Sequence, residues 1–170
     1  MYIDLFGEKR YEPRDVANKI VIAALNENFV VIKETAKGIR FVGKNVSGNF
    51  EQLSFFDTPG LYAIYKGKKC LYVGLTAYSV YNRIYRFQKH LQGRSRDDEN
   101  HPAAEKARRD GLKTLHNTKM KFFPMKSVKK IIRDVSKIDS DYLLKYKNFP
   151  IDEYIAPLVK AKYNTRKASM

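Results

Sequence analysis

The residues best suited to chemistry lie in one short stretch, GLYAIYKGKKCLYVG, at positions 60–74. Two aromatic tripeptides, GLY at 60–62 and YVG at 72–74, flank a lysine-rich centre, a pattern typical of a β-hairpin. Because side chains alternate along a strand, Tyr62 and Tyr72 on adjacent antiparallel strands are able to point to the same face. A tyrosine with a pKa of about 10 is a poor base at neutral pH unless its phenolate is stabilised.

Two charged residues further along the chain extend this candidate set. Arg83 lies nine residues after Gly74 on a predicted helix, and its planar fork suits a non-bridging phosphate oxygen. Glu153 is the only glutamate after Glu105 and lies on a late predicted helix. Hydrolysis of a phosphodiester needs a nucleophilic water, stabilisation of charge on the phosphate and protonation of the leaving oxygen. The types of residue in this set are compatible with those needs.

Each of these residues, taken alone, also has an ordinary structural explanation. A strand tyrosine such as Tyr62 is most often a core or rim residue, and Arg83 alone is most often a solvated helix residue. Glu153 alone is a surface carboxylate near a helix N-terminus, where its charge is favourable. Gly74 is either a strand-end turn or a place where a phosphate approaches the backbone. Only the combination favours a functional site.

The charge of the chain is strongly positive and unevenly distributed. The net charge is +15, yet residues 1–57 hold 8 basic and 8 acidic residues, whereas residues 58–170 hold 25 and 10. A positive field attracts polyanions, and neutralising phosphates releases counterions. The charge therefore favours nucleic acid over an acidic protein or a membrane surface as the partner, although basic and aromatic mixtures also occur in ordinary amphipathic elements.

The composition is typical of a globular protein that works in a reducing compartment. A length of 170 residues suits one domain with an appendage. The single cysteine, Cys70, lies in an apolar run and can form no internal disulfide, so we interpret it as a core thiol. With neither a signal peptide nor a membrane-length apolar run, the sequence predicts an intracellular, cytoplasmic protein without a membrane partner.

The neutral part, residues 1–57, reads as a small α/β appendage. After Pro13 the apolar spacing predicts a helix that ends near Asn28. Two β-branched runs, FVVIKET and GIRFVG, follow and predict a hairpin. The turn residues at 57–60 mark the predicted boundary with a basic domain at 58–170.

The basic part reads β-β-α-α-β and then helices. The predicted elements after the hairpin are a helix at 79–91 capped by Ser79, a second helix from Pro102 to about Leu112, a strand at 119–125, and helices at 127–135 and 151–163. The expected fold is therefore α+β, with a small three-stranded antiparallel sheet flanked by helices.

The sequence resembles the GIY-YIG nuclease superfamily over residues 59 to about 165. The resemblance rests on GLY at 60–62, YVG ten residues later, then Arg83 and Glu153. It implies that Tyr62 deprotonates or orients the attacking water and that Tyr72 hydrogen-bonds water or the scissile phosphate. Glu153 would hold one Mg²⁺, for which Mn²⁺ could substitute, and no small-molecule cofactor is implied.

The histidines and position 87 are where the chain departs from this pattern. The family often has His or Tyr one turn after the arginine, but position 87 is Phe, which cannot pass a proton. His90 could substitute or serve a structural or DNA-contacting role. His101 matches a family histidine and is interpreted as a phosphate contact or a loop hydrogen-bonding group, whereas His116 is left at the surface. Three scattered histidines do not suit a zinc site.

The resemblance implies double-stranded DNA as the substrate and partner. Most similar are the stand-alone type II restriction endonucleases, which implies a homodimer on a symmetric site. The alternatives are a homing or repair nuclease and a non-catalytic DNA-binding module on the same fold. The predicted DNA contacts are Arg86, Lys89, His90, Arg94, Arg96, His101 and Asn164, with Lys106, Arg108 and Arg109 behind them.

Overall fold

A computed structural model describes most of the 170-residue chain, and all structural statements below concern that part. The described residues are 2–3, 9–11, 13–25, 29–44, 50–53, 58–94, 101–136 and 151–164. The helices are α1 (Pro13–Leu25), α2 (Val80–Leu91), α3 (Pro102–Arg109), α4 (Met125–Ser136) and α5 (Ile151–Leu158). The strands are β1 (Tyr2–Ile3), β2 (Lys9–Tyr11), β3 (Val30–Thr35), β4 (Gly38–Lys44), β5 (Phe50–Leu53), β6 (Gly60–Lys66), β7 (Lys69–Thr76) and β8 (Lys119–Pro124). The expected α+β class is confirmed.

The main sheet is larger than the sequence predicts. Its strand order is β5-β4-β3-β8-β6-β7, and every neighbouring pair is antiparallel. The three predicted strands, β6, β7 and β8, do belong to one sheet, with β6 in the centre. However, β3 pairs with β8 through Val30 opposite Met120 and Val31 opposite Lys119. The prediction of a three-stranded sheet is therefore wrong, because the hairpin of the appendage continues the same sheet on its other side.

The sheet carries a core on each face. Neighbouring residues Leu61 and Tyr62 belong to different buried clusters, as the alternation of side chains requires. The cluster around Tyr62 includes buried residues of α2 and α3. The cluster around Leu61 includes buried residues of α1, α4 and α5, so the helix of the appendage packs on the basic part. The division at residue 57 remains a prediction.

The local signals of the hairpin and of the first basic helix predict their positions well. Gly67 adopts a positive φ of 62° in the β6–β7 turn. Ser79 caps α2, since the backbone N–H of Asn82 donates to the Ser79 hydroxyl at 3.1 Å. Cys70 is 2% exposed, in agreement with a core thiol, and burial raises the pKa of its thiol to about 11.

Three helix ends differ from the prediction or lie beyond what the structure describes. The end predicted near Asn28 for α1 falls outside the described residues, and α1 is described to Leu25. Helix α3 ends at Arg109, before the predicted Leu112. Helix α5 ends at Leu158 rather than Tyr163, because Lys160 turns into a left-handed conformation with φ of 53° and Ala161 N–H bonds back to Ala156 C=O at 2.8 Å. The residues that follow are thereby released to pack against β7.

Candidate active site

The two tyrosines of the hairpin lie on the same face of the sheet. Tyr62 on β6 is paired with Gly74 on β7, and Tyr72 is paired with Ile64 two positions away. The ring centroids of Tyr62 and Tyr72 are 6.1 Å apart. Their predicted position on one face is confirmed. In this register Tyr62 lies opposite Gly74, which is two residues after Tyr72 and therefore points to the same face.

The glycines of both tripeptides make room for aromatic rings. A Cβ placed on Gly74 would lie 2.9 Å from Cε1 of Tyr62 and closer still to its Cζ and hydroxyl. A Cβ on Gly60 would lie 2.7 Å from Cε2 of Phe122 and 2.5 Å from the carbonyl oxygen of Phe123. Gly74 is buried beneath the phenol of Tyr62 and thus has a packing role, which differs from either explanation offered by the sequence.

A polar cleft of about 350 Å³ lies at the β7 edge of the sheet. It collects residues from β7, α2, the start of α3, the first turn of α5 and the segment after α5. The lining residues are Tyr72, Arg83, His101, Pro102, Ala103, Asp152, Glu153 and Asn164. Five of the predicted site residues therefore share one cleft, although they are spread over more than ninety positions of the sequence.

Tyr62 is the predicted catalytic residue that does not line this cleft. It is 4% exposed and belongs to the buried cluster on its face of the sheet. Its ring contacts that of Tyr72, which does line the cleft. From this position Tyr62 can influence the cleft through its contact with the Tyr72 ring.

Asp152 is a site residue that the sequence reasoning missed. It lies beside Glu153 in the first turn of α5, where both carboxylates are favoured by the helix dipole. Both side chains are half-buried and both line the cleft. The signal in the sequence that indicates Asp152 is the adjacent pair of carboxylates at the start of a predicted helix.

Asp152 and Arg83 have opposite effects on the pKa values of the two phenols, Tyr62 and Tyr72. Burial raises the pKa of Tyr62 well above its ordinary value, and the neighbouring Tyr72 and the Asp152 carboxylate raise it further. Burial and Asp152 also raise the pKa of Tyr72, while Arg83 lowers both pKa values. The two tyrosines are therefore neutral hydrogen-bonding groups at neutral pH.

His101 is held as a neutral imidazole at the entrance to α3. It is the N-cap of this helix, since Ala104 N–H donates to His101 Nδ1 at 3.2 Å, and the ring proton consequently lies on Nε2. Burial, together with His90, Arg83 and Arg86, lowers the pKa of His101 to about 4. One side chain thus both caps the helix and lines the cleft.

Phe87 and His90 pack behind residues that line the cleft. The ring of Phe87 lies 5.5 Å from that of Tyr72 and 4.9 Å from that of His101. His90 is 2% exposed, its ring is 5.5 Å from that of His101, and its Nδ1 is 3.9 Å from a Glu105 oxygen. A buried imidazole has no surface to offer to DNA, so we do not retain His90 among the DNA contacts.

Asn164 closes the edge of β7. Its Oδ1 accepts from Val73 N–H at 2.9 Å and its Nδ2 donates to Val73 C=O at 2.8 Å. The preceding residues bond to the same edge through Lys162 N–H to Cys70 C=O and Tyr163 N–H to Leu71 C=O. Both polar atoms of the Asn164 amide are thus engaged with the strand while its side chain lines the cleft.

The predicted cationic residues occupy exposed positions on α2 and α3. Arg83, Arg86 and Arg94 are exposed, and Lys89 is half-buried with Nζ 5.1 Å from the ring centroid of Tyr85. Arg96 lies outside the described residues. The exposed basic residues of α3 are Lys106, Arg108 and Arg109. These side chains are accessible to a polyanion.

The donor set of the cleft suits a hard, hydrated cation better than zinc. Within the described residues there is no group of three or more His, Cys, Asp and Glu side chains that could hold a metal. Asp152 and Glu153 supply carboxylate oxygens at a polar cleft. Mg²⁺ commonly binds through one or two carboxylates and keeps several waters, so these two residues fit it, whereas zinc requires a fuller protein shell.

Known proteins offer no match from which the role of the cleft could be transferred. Neither the protein-family models, the curated proteins nor the solved structures match this chain. None of the described helices is long and apolar enough to cross a lipid bilayer. The function of the chain consequently has to be inferred from the cleft and the charge around it.

Proposed function

We propose that this protein is a Mg²⁺-dependent endonuclease that hydrolyses DNA phosphodiester bonds, with the GIY-YIG pattern at its active site. The observation that carries the proposal is the polar cleft. It brings together Tyr72, Arg83 and Glu153, which the sequence pattern selected from three separate elements. A cation, a phenol and a carboxylate in one open cleft are the groups required to grip and hydrolyse a phosphodiester.

The charge around the cleft supports a nucleic-acid substrate. Arg83 and Arg86 are exposed on α2, and the basic residues of α3 begin one helix further along. Phosphate contacts of this kind position a duplex without reading its sequence. The excess of 25 basic over 10 acidic residues in residues 58–170 gives such contacts a broad electrostatic background.

Arg83 is the group proposed to grip the scissile phosphate. Its guanidinium is permanently charged and offers two parallel N–H donors to phosphate oxygens. Arg83 also lowers the pKa of Tyr72, which places its positive charge near the phenol. A phosphate held by Arg83 would therefore lie close to the Tyr72 hydroxyl.

Tyr72 is proposed to orient the attacking water or a phosphate oxygen through its neutral hydroxyl. Its raised pKa makes it a donor rather than a phenolate at neutral pH. Tyr62 is buried against Tyr72, and its pKa is raised too, so it is better suited to positioning Tyr72 than to removing a proton from water. This assignment differs from both roles that the resemblance implies for Tyr62, which are deprotonation and orientation of the attacking water.

Glu153 and Asp152 are proposed to hold the divalent cation at the first turn of α5. When bound, the ion would stabilise negative charge on the leaving oxygen. The two carboxylates belong to one side of the cleft, and Asn164 and His101 border the remaining space. The Nε2–H of His101 is available as a neutral donor to a phosphate oxygen.

The decisive experiment incubates the purified protein with long, sequence-diverse DNA in Mg²⁺ and in EDTA. Arg83→Ala, Glu153→Gln and Asp152→Asn are tested in parallel. Wild-type cleavage should require Mg²⁺, Arg83→Ala should abolish it, and Glu153→Gln should abolish cleavage while DNA binding persists. Asp152→Asn should raise the Mg²⁺ concentration needed for cleavage. Matched controls are Glu105→Gln and Lys37→Gln, which remove one charge each outside the cleft lining.

Cleavage that survives Glu153→Gln would contradict the carboxylate assignment. Discrete fragments would support a type II restriction enzyme, whereas cleavage at nicks or branches would favour the repair or mobile-element alternative. The homodimer is tested by sedimentation with and without a symmetric DNA site. The proposal includes an intracellular location, which is tested by fractionation of cells that produce the protein.

A non-catalytic DNA-binding module is the second candidate function. The observation that favours it is the burial of Tyr62, 4% exposed, and of Phe87, 1% exposed, so neither position offers an accessible group that passes a proton. A binding module should shift DNA in EDTA and Mg²⁺ alike, with a steep dependence on salt. It should also bind somewhat more tightly after Glu153→Gln, because this change removes a negative charge from the phosphate path.

A further inference from the structure

A second, basic groove lies on the same edge of the sheet as the cleft. It measures about 260 Å³ and is lined by the β6–β7 hairpin, the end of α3 and the segment after α5. Three lysines, Lys66, Lys69 and Lys162, line it, and all three are exposed. The nuclease mechanism proposed for the cleft does not use this groove.

The acidic residue among the described lining residues of the groove is already engaged. An Asp110 oxygen lies 3.3 Å from Lys162 Nζ and accepts a hydrogen bond from the Tyr163 hydroxyl at 3.0 Å. Three lysines against one aspartate leave the groove positively charged. The ion pair with Asp110 also positions Lys162, whose Nζ lies 5.2 Å from the ring centroid of Tyr163.

The groove and the cleft are consecutive along β7 and along α3. Tyr72 borders the cleft, whereas Lys69 and Leu71 border the groove. At about 3.3 Å per residue, Lys69 is on the order of 10 Å from Tyr72 along the strand. Helix α3 links the two sites as well, since its N-cap lies in the cleft and its C-cap, Asp110, lies in the groove.

The separation of the two sites matches a few nucleotides of one DNA strand. The eight residues of α3 span about 12 Å at about 1.5 Å per residue. A DNA strand advances about 3.4 Å per nucleotide along the axis, so about 10 to 12 Å corresponds to about three to four nucleotides. With the duplex axis parallel to β7, a strand with one phosphate in the cleft would thus have another phosphate at the level of the groove.

We propose that the groove of Lys66, Lys69 and Lys162 binds backbone phosphates of the DNA strand about three to four nucleotides from the phosphate held in the cleft. The proposal rests on the proposed function for the identity of the ligand. It assigns a direction to the strand, which leaves the cleft along the β7 edge toward the β6–β7 turn. Because the contacts are made by lysines to phosphates, they add affinity without adding sequence preference.

The test compares the double variant Lys66→Gln/Lys69→Gln with the control Lys19→Gln/Lys37→Gln. The control removes the same charge from exposed positions outside both sites. Binding to a short fluorescent duplex is measured in EDTA over a range of salt concentrations. Each phosphate that a lysine neutralises contributes about 0.9 to the slope of log affinity against log salt. The groove variant should therefore lower the magnitude of this slope by about 2, and the control by much less.

A second measurement locates the contacts on the DNA. Phosphate-ethylation interference requires binding but no cleavage. In the groove variant, ethylation of the phosphates on one side of the phosphate held in the cleft should no longer interfere with binding. In Mg²⁺, the groove variant should need a higher protein concentration than the control variant to reach the same cleavage rate, because it binds DNA more weakly. Equal slopes for the groove variant and the control, with an unchanged interference pattern, would overturn the proposal. Absence of cleavage by the wild type, with the slope difference intact, would instead overturn only the proposed nuclease activity.

Discussion

At the scale of single residues, the site depends on what is missing at Gly74. The absent Cβ leaves the space that the Tyr62 phenol occupies, and that phenol in turn contacts Tyr72 at the cleft. The feature that distinguishes this hairpin is therefore the cross-strand pair of Tyr62 and Gly74. Gly74 contributes to the site without lining the cleft.

Gly74→Ala should destabilise the protein by about 1–3 kcal/mol, because the new methyl group overlaps the Tyr62 ring. Chemical denaturation of the single variant measures the effect. In Tyr62→Ala/Gly74→Ala the ring is gone, so the added cost of the alanine should vanish and the two changes should be strongly non-additive. A neutral Gly74→Ala variant would contradict the packing role.

His101 should make the stability of the protein depend on pH. Its pKa is lowered to about 4 in the folded chain, from an ordinary value of 6.5. Between these values the unfolded chain binds the proton and the folded chain does not, so the free energy of unfolding decreases as the pH falls. Between about pH 7 and about pH 4.5 the decrease should be about 2 kcal/mol.

Denaturation curves at a series of pH values measure this decrease. The matched control is His101→Asn, which keeps an N-cap for Ala104 but cannot titrate, and its profile should be flatter by the same amount. A wild-type profile identical to that of His101→Asn would show that the imidazole is not held in its neutral form.

At the scale of secondary structure, the cleft is built where α5 ends and the chain returns to β7. The left-handed turn at Lys160 stops the helix, and the segment 162–164 then bonds to the edge of the strand. This segment places Asn164 in the cleft and Lys162 in the groove. An edge strand that would otherwise expose its backbone is thereby covered.

Asn164→Ala should lower the protection of the Val73 amide against hydrogen exchange and cost about 1–3 kcal/mol, because both backbone groups of Val73 lose their partner. Exchange measured residue by residue tests this expectation. Tyr163→Phe is the control in the same segment, since it removes only the bond to Asp110. Unchanged protection of Val73 in Asn164→Ala would sink the proposed role of the amide.

At the scale of the whole molecule, the appendage and the basic part share one sheet and the cores on both of its faces. Strand β3 pairs with β8, and α1 buries Val16, Ala17 and Ile20 in the cluster that contains Leu61 and Phe123. Burial of apolar surface of this kind is the main source of stability in a domain. The two parts are therefore expected to fold together.

A fragment of residues 58–170 should lack a cooperative unfolding transition, because removal of α1, β3 and β4 takes buried residues from both cores and uncovers the edge of β8. Thermal denaturation and an amide NMR spectrum of the fragment, beside the full chain, test this. A sharp transition with dispersed amide signals would show instead that the boundary predicted at residue 57 separates independent domains.

Local patterns were sufficient for much of the candidate site. The alternation of the hairpin places Tyr62 and Tyr72 on one face, and Ser79 marks the start of the helix that carries Arg83. These features depend on interactions between residues that are close in sequence, so one short segment contains the information. Asp152 was missed because the sequence pattern selects only Glu153 from the adjacent pair of carboxylates at the start of α5.

By itself, the sequence determined the α+β class, the uneven positive charge and the hairpin with its two tyrosines, since these follow from composition and from short-range alternation. Only the tertiary structure decided the six-stranded sheet, the space over Gly74, the amide of Asn164 on β7 and the alignment of groove and cleft. The physical reason is that each of the latter is a contact between segments that come together only when the chain folds. Such contacts depend on packing and register, which no local pattern specifies.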